Sequence, residues 1–76
     1  MKKESAQVLL AALRRAGDEL MAAFAHVKKN ESPEESARWQ AAVGRSMGAM
    51  YQHLLEPLLA EHPDITPKAL GGTAPD

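Results

Sequence analysis

The sequence predicts an all-α protein, an antiparallel two-helix hairpin that dimerises into a four-helix bundle, with a short C-terminal turn and a disordered tail. Three observations predict it. Ser32-Pro33-Glu34-Glu35 stands between two long amphipathic stretches and reads as a helix start. Apolar residues on either side of it recur at helical spacing, and only Asn30 and Glu31 remain to join the two stretches.

The cap comes first because it fixes the hairpin. A serine hydroxyl accepts from the free N–H groups of a first helical turn, and proline at the first helical position has no bond to lose. A Glu three residues after the cap reaches back to close a capping box. Ser32, Pro33 and Glu35 occupy those positions. A connection of so few residues forces its two helices antiparallel. The hairpin therefore covers residues 1–62.

The first helix is expected over about 5–29, with Ser5 as its cap. At about 100° per residue, one face collects Ala6, Leu9, Leu10, Leu13, Ala16, Gly17, Leu20, Met21, Ala23, Phe24 and Val27. Lys28 and Lys29 fall in the last turn, where cations oppose the negative helix end, and Asn30 suits a left-handed closing residue. The second helix is expected over about 33–62. Its inward face gathers Ala37, Trp39, Val43, Gly44, Met47, Met50, Tyr51, Leu54, Leu55 and Leu58, with Gln40 as a polar residue near the centre. Pro57 lacks the N–H that would bond to His53 and predicts a kink.

Residues 63–76 form a C-terminal extension. Thr66-Pro67-Lys68-Ala69-Leu70-Gly71 predicts one helical turn at 67–70 that sets Ile65 or Leu70 over the bundle end, and Gly72 to Asp76 reads as disordered.

Composition bounds the function. A single core in a chain of 76 residues supplies only about 3–5 kcal/mol without a staple. With no cysteine, that staple is not covalent, and a reducing cytoplasm is the expected compartment. The apolar run Val8 to Leu13 stops at Arg14-Arg15, too short for a membrane span or a signal core. Each helix carries an apolar sector about 160° wide, more than one neighbour can cover. A C2 homodimer is the simplest cover, and a heterologous protein partner could occupy the same groove. The expected core and dimer interface comprises Leu9, Leu13, Leu20, Phe24, Trp39, Val43, Gly44, Met47, Gly48, Met50, Tyr51, Leu54 and Leu58.

No residue set identifies a reaction, so no catalytic residue, cofactor or metal is assigned. His53 and Glu56 share a helical face that points outward with no third ligand. Arg14–Asp18, Arg15–Glu19 and Glu34–Arg38 are spaced as ordinary surface pairs. Arg14, Arg15, Arg38 and Arg45 offer a face for RNA or DNA, but acidic neighbours and a formal charge of −1 argue against it. Gly44 and Gly48, after Ala37 and Ala41, are spaced for close helix approach. Either another backbone meets them, or Gly44 makes room for Leu20 or Phe24 inside the hairpin. The functional expectation is a small non-enzymatic protein-interaction module, a regulator, antagonist or chaperone-like subunit; the alternative is a nucleic-acid-binding bundle.

Overall fold

Helix α1 (Lys3–Asn30) and helix α2 (Pro33–Met50) lie antiparallel in the computed structural model, which describes residues 1–72. From α2 the chain continues through a π turn (Tyr51–Leu55) into helix α3 (Glu56–Glu61), making a second rod of nearly the same length as the first. Two 3₁₀ turns, Pro63–Ile65 and Lys68–Leu70, then fold back as a C-terminal arm. Among the described residues no helix is long and apolar enough to cross a membrane.

Local chemistry sets the boundaries. Ser32 Oγ accepts from the Glu35 N–H at 3.1 Å, with Pro33 in the first turn. The Glu35 carboxylate turns forward rather than back. Its Oε2 accepts from Arg38 at 2.9 Å and from the Trp39 indole at 3.3 Å, because a charged donor three residues along the helix outcompetes a backbone N–H. Asn30 remains helical instead of adopting the left-handed conformation. Its side-chain amide donates to the His26 carbonyl at 2.8 Å, satisfying one of the free carbonyls at the helix end.

Helix α1 starts earlier than Ser5 implies, with Lys2 at the cap position. The arm provides the reason. The Met1 amine bonds Glu61 at 2.6 Å, Lys3 pairs with Asp64 at 2.8 Å, and His62 Nε2 lies 2.9 Å from the Met1 carbonyl. These contacts hold the first turn of α1 against the end of the second rod.

The two rods meet along a narrow seam. In α1 the residues drawn out of solvent are Ala6, Leu10, Leu13, Gly17, Leu20, Phe24 and Val27, alternating at spacings of four and three. That is the coiled-coil repeat, and it is narrower than the apolar face it runs through. Leu9, Ala16, Met21 and Ala23, expected inward, flank the seam and stay exposed. On the second rod the seam runs through Ser36, Val43, Met47 and Met50. Continued unbroken, it would next reach Leu54 and Pro57. Pro57 cannot donate to His53, and its ring crowds that carbonyl. The turn before it opens into a π turn, with the Glu56 N–H bonded to the Tyr51 carbonyl. This inserts one residue and moves the seam to Leu55 and Leu58. Leu54 is left 36% exposed, whereas Leu58 is 3% exposed.

Among the described residues the buried apolar core lies at that end, where Ala6, Leu10, Leu58 and Ile65 close together with Leu55 and Leu59 against them. Ile65, and not Leu70, covers the bundle end. The arm's second turn begins at Lys68 with Pro67 as its cap residue, so Thr66 is not the cap, and Gly71 ends it with φ of 85°. Gly72 donates to the Pro67 carbonyl at 3.0 Å, and a Cβ there would strike the Thr66 carbonyl. The disordered tail expected from Gly72 onward otherwise lies outside the described residues.

Leu58→Ala is expected to lower stability by about 2–4 kcal/mol and Leu54→Ala by under about 1 kcal/mol, measured by urea unfolding; equal losses would contradict the shifted seam. Hydrogen bonding to Lys3 holds the Asp64 carboxyl below its ordinary value, and the Met1 amine does the same for Glu61. Depressed carboxyls stabilise above their unfolded values, and that support is lost as pH falls through the folded ones. The Lys3 ammonium is raised by Asp64 and loses its share only above the ordinary lysine range. Ile65 methyl NMR signals should therefore move toward unfolded positions below about pH 4 while seam signals persist; arm signals unchanged down to about pH 2 would refute the tether.

Candidate functional site

Each helix of this hairpin turns one side to its neighbour and leaves two flanks. On the second rod, Glu34, Ala37, Ala41, Gly44 and Gly48 of α2 and Tyr51 of the π turn fall in a sector about 100° wide, centred about 110° from the seam. All six are exposed. A Cβ built at Gly44 or Gly48 meets nothing within 4 Å, so Gly44 does not make room for Leu20 or Phe24 inside the hairpin. Each glycine costs its helix about 1 kcal/mol relative to alanine, and no contact within the chain offsets that.

The same flank of α1 carries Arg14, Met21 and Lys28, seven residues apart and all exposed. Between the two columns lie two hollows. One, of about 260 Å³, runs beside the arm and is lined by Leu13, Arg14, Gly17, Met47, Tyr51 and Leu70, with Arg14 the charged group at its edge. The other, of about 290 Å³, lies near the loop among Phe24, Lys28, Glu31, Pro33, Ser36 and Gln40. Met21 is 51% exposed between them, and Tyr51 and Leu70 are each 48% exposed at the arm end.

The opposite flank differs in chemistry. It holds Leu9, Leu54 and a shallow hollow of about 360 Å³ among Ala16, Glu19, Leu20, Ala23 and Met50. Trp39 lies toward this side with its polar handle satisfied. Its indole N–H is bonded to Glu35, and the Arg38 guanidinium sits 5.2 Å from the ring centroid. Arginine stacking on an exposed ring is a stable solvent-facing arrangement, which explains why Trp39 leaves the inward face expected for it.

Of the expected core and interface residues, Leu13, Leu20, Phe24, Val43, Met47 and Met50 are half-buried in the seam and Leu58 is buried. Leu9, Trp39, Gly44, Gly48, Tyr51 and Leu54 are exposed in the single chain, because the seam is narrower than the apolar sectors and the π turn rotates Leu54 away. Ser36 is a buried residue of the seam that helical periodicity of apolar residues does not mark. Its place seven residues before Val43 was the available signal, and its hydroxyl has no protein partner. Gln40, in the seam by spacing, sits close enough to the loop to reach water.

The arginines do not form one face. Arg15 projects from the outer edge of α1, about 180° from the seam, whereas Arg38 and Arg45 share the outer edge of α2. Among the described residues Arg38 pairs with Glu35, and the expected Arg14–Asp18, Arg15–Glu19 and Glu34–Arg38 pairs do not form. Exposed pairs at such spacing contribute only about 0.3–0.5 kcal/mol, too little to fix long side chains. Nor do three or more His, Asp or Glu side chains come together in a metal-holding group among the described residues. No protein-family model, curated protein or solved structure matches the chain.

The geometry within the hairpin generates one direct test. A Cβ at Gly17 would stand 3.8 Å from the Met47 Cε, an ordinary contact. Gly17→Ala should raise stability by about 0.5–1 kcal/mol in urea unfolding; a loss would show that the seam is tighter there than the structure has it.

Proposed function

We propose that this chain is a small non-enzymatic protein-interaction module, a regulator, antagonist or chaperone-like subunit, that works as a homodimeric four-helix bundle. The observation that carries this reading is surface that one hairpin does not cover. A compact folded monomer of this mass exposes roughly 4,500 Å²; this chain exposes 5612 Å². Its radius of gyration is 14.8 Å, against about 11 Å for a compact chain of this length. That open surface runs along both flanks of the rod and is not closed by the hairpin itself. It also carries apolar side chains, Met21, Tyr51 and Leu70 among them.

A second copy supplies equivalent apolar flanks in the right length and spacing, and needs no other gene product. Four helices packed at shallow angles then bury on two sides what the hairpin buries on one. The outer edges, with Arg15, Arg38, Arg45 and the exposed acids, remain available to whatever the module meets.

Sedimentation equilibrium should give about twice the 8.2 kDa chain mass. A folded monomer at micromolar concentration would overturn the reading. Salt-sensitive retention on heparin that disappears in an Arg38→Ala, Arg45→Ala variant would overturn it in favour of an RNA- or DNA-binding bundle.

A further inference from the structure

Resting on the homodimer reading, we infer that the second copy docks on the flank shared by Arg14, Met21, Lys28, Gly44 and Gly48, about a two-fold axis parallel to the helices. In that arrangement α1 of one copy lies antiparallel on α2 of the other, and Met21 sits over Gly44 of the second copy.

The argument begins with levels along the rod. Gly17 faces Met47 across the seam, and antiparallel helices advance in opposite directions at equal rise, so level partners sum to about 64 in residue number. Arg14 is therefore level with Met50 and Tyr51, Met21 with Val43 and Gly44, and Lys28 with Ser36 and Ala37. An axis parallel to the helices preserves these levels while exchanging the copies. It brings the α1 column of one chain onto the α2 column of the other.

The chemistry of the two columns then matches point by point. Met21, exposed and flexible, meets the open surface at Gly44 and Gly48, where no atom of the same chain lies within 4 Å of a built Cβ. Methionine suits such a seat because its unbranched thioether adapts to an irregular hollow. Lys28 arrives beside Glu34 and Ala37, giving an opposite-charge pair, and neither Lys28 nor Glu34 has an ion-pair partner among the described residues. Arg14 arrives over the exposed Tyr51 ring, where a guanidinium is attracted to the aromatic face. By symmetry every contact occurs twice.

All four neighbouring helix pairs are antiparallel about either two-fold, so the choice of axis rests on the side chains. The alternative two-fold, perpendicular to the helices, would stack α1 on α1 and α2 on α2; with the axis level with Met21 it would bring Met21 against Met21 and set Arg14 opposite Lys28, a like-charge contact. This docking uses the flank that carries the small residues and the two hollows and leaves the Trp39 flank to solvent.

The chain has no cysteine, so disulfide trapping reads the geometry directly. A mixture of full-length Met21→Cys and Gly44→Cys chains should give a covalent heterodimer on mild oxidation, while Met21→Cys alone should not cross-link. A Gly44→Leu variant should keep its helical circular dichroism and bind its copy at least tenfold more weakly, and Ala22→Leu on the outer edge of α1 should change neither. Self-linking of Met21→Cys in a chain that sediments as a dimer would overturn the axis and leave the homodimer standing. So would a Gly44→Leu variant that dimerises like the parent. A parent chain that is monomeric in sedimentation would remove the homodimer reading and this inference together.

Discussion

The registration of one narrow seam governs this protein. Seven residues of α1, at alternating spacings of four and three, meet a matching row on the second rod, and this row can be continued to the end only because the helix takes in an extra residue before Pro57. A proline at that position would end most helices or bend them. Here the π turn absorbs its steric demand and converts it into a phase shift. The shift turns Leu58 inward to meet Ala6 and Leu10, and it creates the floor on which Ile65 closes. The arm, the early start of α1 and the contacts of its first turn all follow from that closure.

Burial is consequently uneven along the rod. The arm end is sealed, whereas toward the loop the seam contains Ser36 and the solvent-reaching Gln40, and its apolar members are only half covered. The polar ties at the sealed end, Lys3 to Asp64 and the Met1 amine to Glu61, are exposed. Each exposed pair contributes little by itself, and the arm is held by these pairs together with the burial of Ile65. At the other end Ser32 and Asn30 close the two helix termini with side-chain bonds of their own. The connection is thus fixed by capping rather than by packing.

The two flanks that remain are unlike. One pairs small residues on α2 with long side chains on α1 and is interrupted by hollows; the other is shallow and carries an indole already satisfied by Glu35 and Arg38. Glycine inside a water-exposed helix has a cost and no local return, which is why Gly44 and Gly48 draw the functional reading to the first flank. A sector wider than its seam leaves surface for association, and association is the function proposed for it.

Much of this was legible in the residues themselves. Both rods, their antiparallel sense, the two-residue connection, the terminating Gly71 and the cap at Ser32 are written in short-range chemistry, because capping, turn conformation and helical periodicity act over about four residues. Trp39, Tyr51 and Leu54 were placed inward because a wheel of uniform pitch cannot register an inserted residue, and because apolar character alone does not say which part of a wide face finds a neighbour. Tertiary structure alone decided the allocation between seam and flank, the burial of Ser36 and the choice of Ile65 over Leu70. Those outcomes depend on the phase of one helix against another and on an arm returning across the whole chain, and that geometry has no local signature.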